Sequence, residues 1–401
     1  MADIDFDAVH DYSKMSDQQL LEYERRYAAE TARLNSIQMA LKICLNSLYG
    51  ALGNNSFRYF DISLASSVTT SGRQAIRWIE RKLNELIDKQ TGIPKDRVVL
   101  IDTDSVVLDL QDVVDQRCPK DFTREQKLKF LDVLGEKVLH PYIEKSYKEL
   151  GDYMNAFAYK FKMKRENIIN SMVSVAAKSY VMEVYNSEGV QYTLDNPYMK
   201  IMGLLLVKSS TPKVIRDALR DALPIMLHGT EAQMQDYIVQ QREKYKNFTV
   251  EEIAFPRGIT NLKKYDPAAV KNAIPLMNSA DAEKAKKALA AGNDVYVGGT
   301  PIHARASLIH NKLIEKYGMI GERTPITDGD KVKFVYLRTP NPIHEDVIAF
   351  QDTLPDQFGV RDYVDYDKMF DKTFLSALEK MIEPLHWETE KKNTLEDWFT
   401  F

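Results

Sequence analysis

The segment Val98-Val99-Leu100-Ile101-Asp102-Thr103-Asp104-Ser105-Val106-Val107-Leu108 constrains this chain more than any other. Two apolar, largely β-branched runs flank a short polar turn, which predicts a tight hairpin with strands at about 98–101 and 106–110. The turn holds two carboxylates out at a sheet edge. Carboxylate oxygens so placed suit Mg²⁺, a hard cation that keeps waters and substrate phosphates in its octahedral shell. A pair of such ions stabilises both the attacking and the leaving oxygens of a phosphoryl transfer. Taken alone, Asp102 and Asp104 are also what turn preference places in a hairpin, and glycosyltransferases and nucleases share the D-x-D pattern.

The remaining sequence supplies helices. Ser16 and Gln19 have capping-box spacing and open a long helix toward Tyr49, which Gly50, Gly53, Asn54 and Asn55 close. A second helix is predicted from about Thr70 to Ile87, and a helical region covers about Arg124–Ala156. Strands follow near Ile168–Val175 and Ser179–Tyr185. A further helical series begins at Thr211-Pro212, broken by Pro256-Arg257-Gly258 and Ala290-Ala291-Gly292. At 401 residues, the chain has room for two or three domains of about 150 residues each. Apolar residues at 44% and charged residues at 28% exclude global disorder. Cys44 and Cys118 cannot form a disulfide framework, which favours a reducing compartment. No apolar run reaches the roughly 18 residues of a membrane span, and the first residues are acidic rather than signal-like. A net charge of −4 excludes a histone-like binder but leaves room for local basic segments.

Two such local features stand out. Gln38, Lys42, Asn46 and Tyr49 fall on one stripe of the first helix, while Leu34, Leu41, Leu45 and Leu48 cover another. A lysine flanked by amides and a tyrosine can hold a triphosphate and stack beside a base; a solvated helix face has the same composition. The second is the basic knot Lys162-Met163-Lys164-Arg165-Glu166, followed by Lys178-Ser179-Tyr180. Cations beside an acidic site serve where a phosphate backbone passes bound metal. Surface salt bridges produce such clusters too. His303 and His310 are seven apart without a further ligand, so a surface or core role fits them better than metal binding.

Together these motifs resemble family B DNA polymerases. Lys42-Ile43-Cys44-Leu45-Asn46-Ser47-Leu48-Tyr49-Gly50 is similar to the K-x₃-N-S-x-Y-G fingers motif, Asp102-Thr103-Asp104-Ser105 to the palm D-T-D-S, and Lys178-Ser179-Tyr180 to K-x-Y. Lys200-Ile201-Met202-Gly203, the run Lys208–Lys213, Gly329-Asp330-Lys331-Val332 and Trp398-Phe399-Thr400-Phe401 resemble stretches of the T-even-type bacteriophage replicative enzymes. The resemblance spans nearly the whole chain and is weakest in the first 15 residues and around 265–325.

That resemblance implies an α+β right-hand fragment, with an antiparallel palm sheet, its helices and an α-rich thumb. The implied division is fingers 1–52, palm 53–205, thumb 206–390 and a clamp-binding tail 391–401. The implied activity is primer extension from dNTP by two-metal nucleotidyl transfer. Asp104 would be a principal Mg²⁺ ligand, with Asp102 and Glu166 secondary. Lys42, Asn46, Gln38, Tyr49, Gly50 and Thr103 would meet the dNTP. Lys178, Tyr180, Lys162, Lys164, Arg165, Lys208, Lys213, Lys263 and Lys264 would meet the DNA primer-template. Leu395, Trp398, Phe399 and Phe401 would dock on a sliding clamp.

The family's upstream D-x-x-S-L-Y-P palm motif, its D-x-E exonuclease motif and its first fingers helix find no counterpart in these residues. The expectation is therefore one chain of a split polymerase. An N-terminal partner chain would supply the other palm aspartate, a share of both Mg²⁺ sites and the 3′–5′ exonuclease, in the cytoplasm of a bacterial host. The competing reading is a non-catalytic DNA-binding or clamp-binding accessory derived from a polymerase. A D-x-D glycosyltransferase is a third, and it leaves Lys42–Gly50 without a role.

Overall fold

The computed structural model describes residues 12–266, 282–283, 286–287, 290 and 300–391, which cluster into two compact units, Met1–Arg165 and Glu166–Phe401. Among the described residues no helix is long and apolar enough to cross a membrane.

In the first unit, helix α1 (Asp17–Leu52) starts at the expected capping box: the Ser16 side chain accepts from the Gln19 N–H, and the Gln19 side chain accepts from the Ser16 N–H. Helix α2 (Ile62–Thr91) begins eight residues before the position the sequence predicts, because Asp61 caps it by accepting from the Leu64 N–H at 2.9 Å. Its end is set by Gly92, whose φ of 72° a side chain would resist. The hairpin follows as β1 (Val98–Asp102) and β2 (Ser105–Leu108), close to prediction. Helix α3 (Gln111–Arg117) was not legible in the sequence. Beyond it, α4 (Arg124–Leu134) and α5 (His140–Tyr153) are joined through the π-helical turn Gly135–Leu139 rather than forming one regular helix.

A small core holds this unit together. Ala75, Ile79 and Leu83 of α2 pack with Ile143, Tyr147 and Leu150 of α5, and Val106 and Leu108 of β2 pack against them. The base of the hairpin is fixed by a charge rather than by this core. Arg97, just before β1, is fully buried and ion-paired to Asp112 of α3. Its guanidinium also donates to the Thr91 hydroxyl at 3.3 Å, at the last residue of α2, and to the Ile93 carbonyl at 3.0 Å just beyond it. The Arg97 carbonyl accepts from the Asp109 N–H at 2.8 Å, and outside this knot Lys95 pairs with Asp109 at 2.7 Å. That lysine, together with the Gln111 N–H, holds the Asp109 carboxyl below the usual range.

The second unit is built on a four-stranded antiparallel sheet. Strand β4 (Ser179–Ser187) is central, buried from Tyr180 to Asn186, and pairs with β3 (Asn167–Ala176), β5 (Val190–Gln191) and β6 (Tyr198–Met202). Helices α6 (Lys213–Asp221), α7 (Leu223–His228), α8 (Glu231–Tyr245) and α9 (Val250–Ile253) follow. A large continuous core runs from Val173 and Val181 to Met381 and Ile382. The predicted break at Pro256-Arg257-Gly258 is itself strand β7 (Phe255–Gly258), at the edge of a three-stranded sheet with β8 (Lys331–Tyr336) and β9 (Val347–Phe350). An edge strand tolerates a proline that donates no hydrogen bond. Ala291 and Gly292, at the other expected break, lie outside the described residues. His310 is buried in the core against Phe358, and its pKa is pushed down to about 4 by that burial.

Breaking the Arg97 knot from one side leaves the partly buried Asp112 with only the more distant Lys95, at 3.8 Å, as a cation. Arg97→Met is expected to cost about 3 kcal/mol in urea unfolding of the full chain, and adding Asp112→Leu should recover more than half of that loss.

Candidate active site

The carboxylate turn is tighter than a generic hairpin loop. Asp102 pairs with Ser105 at the end of the ladder, leaving only Thr103 and Asp104 in the loop. The Asp104 N–H donates to the Asp102 carbonyl at 2.7 Å, closing a three-residue γ-turn around Thr103. Thr103 has a φ of 59°, a region a β-branched residue avoids. Its hydroxyl donates to Asp102 Oδ1 at 3.2 Å, and the Ser105 hydroxyl donates to the Asp102 carbonyl at 3.2 Å. The side chains thus fasten the turn locally. Asp102 is half-buried and Asp104 is exposed. Strain of this kind persists where surrounding contacts over-determine it, commonly at functional sites.

One neighbour of this turn escaped the sequence analysis. Tyr147 of α5 is buried, and its phenol pKa is pushed up to about 12, first by burial and then by the negative charge of Asp104. The signal that could have found it is the Ile143, Tyr147, Leu150 spacing of an amphipathic helix facing the hairpin core. If the charge of Asp104 reaches the phenol, Asp104→Asn should bring the Tyr147 pKa partway back toward 10, read from its ring-carbon NMR shift; an unmoved value would separate the two groups.

Helix α1 presents both of its predicted stripes to solvent. Gln38, Lys42, Asn46 and Tyr49 are exposed, and a Cβ added at Gly50 would meet nothing within 4 Å. The apolar stripe is equally open: Leu34 is 52% exposed, Leu41 60%, Leu45 71% and Leu48 54%. No residue of α1 is buried.

The remaining predicted residues divide between the units. In the first, Lys162 and Lys164 are exposed, whereas Arg165 is mostly buried and turned onto Asp132 at 2.5 Å and Glu136 at 3.8 Å. In the second, Glu166 is exposed and paired with Lys200 of β6 at 3.3 Å. Lys178 sits at the tip of the β3–β4 hairpin with a φ of 60°, and Tyr180 is buried in β4. Lys208, Lys263 and Lys264 are exposed, and Lys213 pairs with Asp217 at 2.6 Å, holding that carboxyl low. Leu395, Trp398, Phe399 and Phe401 lie outside the described residues.

Two further residues support this sheet. Glu183, nearly buried in β4, accepts from Asn170 at 2.5 Å and Ser171 at 3.3 Å and faces His228 Nε2 at 3.0 Å. Gly203, with a φ of 69°, backs the Lys178 tip so closely that a Cβ there would stand 2.2 Å from the Lys178 carbonyl oxygen. Gly203→Ala should therefore displace the tip and cost more than about 1 kcal/mol, measured by urea unfolding; an unchanged midpoint would show that the tip moves freely.

Among the described residues no group of three or more His, Cys, Asp or Glu side chains converges as a metal site. Asp102 and Asp104 are hard oxygen donors of the kind Mg²⁺ takes, but they form only part of its octahedral set. Comparison with known proteins matches this pattern. The sequence model of DNA polymerase family B matches residues 16–121, which include both α1 and the carboxylate hairpin. The chain is 30% identical to the DNA-directed DNA polymerase of Enterobacteria phage T4 over 380 residues, 91% of this chain and 39% of that protein. It is 30% identical to the DNA-directed DNA polymerase of Escherichia phage RB69 over 395 residues, 93% of this chain and 39% of that protein. Over 76 residues it is 40% identical to the DNA polymerase delta catalytic subunit of Candida albicans, 19% of this chain and 7% of that protein. The chain thus spans about two fifths of the length of the two phage relatives. By its motifs, its fold and these matches, this chain belongs to the family B DNA polymerases.

Proposed function

We propose that this chain is the C-terminal part of a template-directed DNA polymerase, extending a DNA primer by nucleotidyl transfer from dNTP. The observation that carries the proposal is the strained, locally fastened D-T-D-S turn that projects Asp104 from a helix-backed hairpin. Asp104, with Asp102, would hold Mg²⁺, which when bound supplies charge stabilisation at the primer 3′ oxygen and at the departing pyrophosphate. Lys42 would neutralise triphosphate charge, with Gln38 and Asn46 lining the same helix face. Tyr49 and Gly50 would pack against the nascent base pair; with no Cβ at Gly50, the backbone offers a flat surface there. Lys178, and Tyr180 behind it, would meet the primer end, with Lys162, Lys164, Lys208, Lys263 and Lys264 along the phosphates. Glu166 would join the metal site only by leaving Lys200, and Arg165 would reach a phosphate only by leaving Asp132.

Two carboxylates do not complete a two-metal site, and two exposed surfaces support a complement that does. One is the leucine stripe of α1, where each buried leucine is worth about 1.5–3 kcal/mol. The other is the outer face of β1, where Val99 and Ile101 stand exposed in a two-stranded sheet too small to be stable alone. We assign both to an N-terminal polymerase segment carrying the other palm aspartate and the 3′–5′ exonuclease. About three fifths of each phage relative lies outside the match, which leaves room for such a segment. The α1 and β1 contacts are the same whether the segment is continuous or a separate partner chain; the separate chain is the case mixing tests. The terminal aromatic tail would tether the assembly to a sliding clamp, and the work would take place in the cytoplasm of an infected bacterium.

Mixing the chain with a segment bearing D-x-x-S-L-Y-P should restore primer extension in the presence of Mg²⁺. Asp104→Ala should lower that extension by at least about a hundredfold without loss of DNA binding. Binding without any rescue would favour the non-catalytic accessory reading, and normal extension by the Asp104→Ala assembly would remove Asp104 from the mechanism.

A further inference from the structure

Helix α2 carries a feature that neither the hairpin nor its core uses. Its buried residues Ala75, Ile76, Ile79, Leu83 and Ile87 define the face that packs inward. At about 100° per residue, Thr70, Arg73, Gln74, Arg77 and Arg81 gather on a different, outward face. These residues, with Trp78, line an open groove of about 330 Å³. The three arginines recur every four residues, so their Cα atoms rise about 6 Å per step in a nearly straight row. Arg81 lies over the Trp78 ring at 4.6 Å and is 3.6 Å from Glu85. Trp78 is anchored by donating its indole N–H to the Ser146 carbonyl at 2.9 Å. Arg73 and Arg77 are exposed and make no ion pair among the described residues. From Ile62 to Ile79 the helix contains no acidic residue at all.

On a chain with a net charge of −4, the unpaired Arg73 and Arg77 and the Glu85-paired Arg81 concentrate positive charge in one row. We propose that this groove is a docking track for the sugar-phosphate backbone of a single-stranded nucleic acid. Guanidinium groups recognise phosphate bidentately and lie flat on exposed bases. The step of the row is close to the separation of successive phosphates along an extended strand, and Thr70 and Gln74 add neutral donors between the cations. A single row of cations follows one backbone; the second strand of a duplex would find no matching row on α2. The track is separate from the carboxylate turn, so it serves to hold an unpaired stretch of nucleic acid rather than the reacting primer end.

The test measures binding, not extension, so its failure leaves the polymerase reading standing, and loss of extension leaves the track standing. Affinity of the full chain for a fluorescein-labelled oligo(dT) of about 20 nucleotides is followed by anisotropy across a salt series. Single-strand binding weakens with salt by about 0.7 in slope per phosphate neutralised. Arg73→Gln with Arg77→Gln should therefore lower the slope by about 1.4 and the low-salt affinity by about tenfold. The Arg73→Lys, Arg77→Lys variant should retain the slope, with circular dichroism as for the parent chain. An unchanged slope in the glutamine variant overturns the proposal. So does loss of slope in the lysine variant equal to that in the glutamine variant, which would reflect a damaged helix. A change confined to duplex of the same length would assign the groove to double-stranded DNA instead. Displacement of the oligonucleotide by polyglutamate at equal charge would assign it to an acidic polypeptide.

Discussion

The Arg97 knot is the constraint on which the first unit depends. A charged side chain taken fully out of water is tolerated only where every nearby group compensates it. Here Asp112 supplies the counter-charge and the Thr91 hydroxyl and Ile93 carbonyl supply acceptors. Those groups belong to the end of α2, the chain after it and the start of α3, so one guanidinium ties three segments together. Because Arg97 immediately precedes β1 and its carbonyl receives the Asp109 N–H after β2, the knot clamps the hairpin at its open end. The small core of α2, α5 and β2 supports the middle, and the γ-turn closes the tip. Asp104 is therefore held by three unlike devices: a buried charge, apolar packing and a strained turn.

Much of this was legible in the sequence wherever one residue type carries a local instruction. The capping box at Ser16–Gln19, the apolar runs around Asp102-Thr103-Asp104-Ser105 and the β3–β4 hairpin all follow from nearest-neighbour chemistry. The same reasoning was available for Asp61, and for Thr123–Gln126, Thr230–Gln233 and Thr249–Glu252, each of which forms a capping box. Of these, the Asp61 cap accounts for α2 starting before the position its apolar spacing predicts. The Pro256 strand departs from expectation for a different reason. A proline breaks a helix and a central strand alike, and only the tertiary order of the sheet reveals that its position is an edge.

The site residues show a sharper limit. Residue type singles out Asp102, Asp104, Lys42 and Lys178 as candidates, because their chemistry sits on the motif itself. It could not locate Tyr147, Glu183 or Gly203, whose roles come from distance. Tyr147 matters through its proximity to a charge 43 residues away in sequence, and Gly203 through the carbonyl that occupies the space of its missing side chain. Partnering also decides what a charged residue is free to do. Arg165 and Glu166 read alike as members of a basic knot, yet each is drawn into its own unit, one by Asp132 and the other by Lys200.

Stability is unequally shared, and the inequality bears on function. The second unit closes around a long continuous core, so the Lys178 tip rises from a rigid sheet. In the first unit, α1 has no fully buried residue and the hairpin has one bare face. Elements with few apolar contacts and solvent-exposed hydrogen bonds open at the lowest free-energy cost. Electrostatic catalysis, by contrast, needs its charges fixed before the reaction begins. A carboxylate turn stiffened locally but standing on a half-covered sheet would meet that requirement once the bare faces of β1 and α1 are covered, as the proposed function has it. Under the proposed function, covering the leucine stripe and ordering Lys42 beside a triphosphate would then be one event, since both sets of side chains project from the same helix.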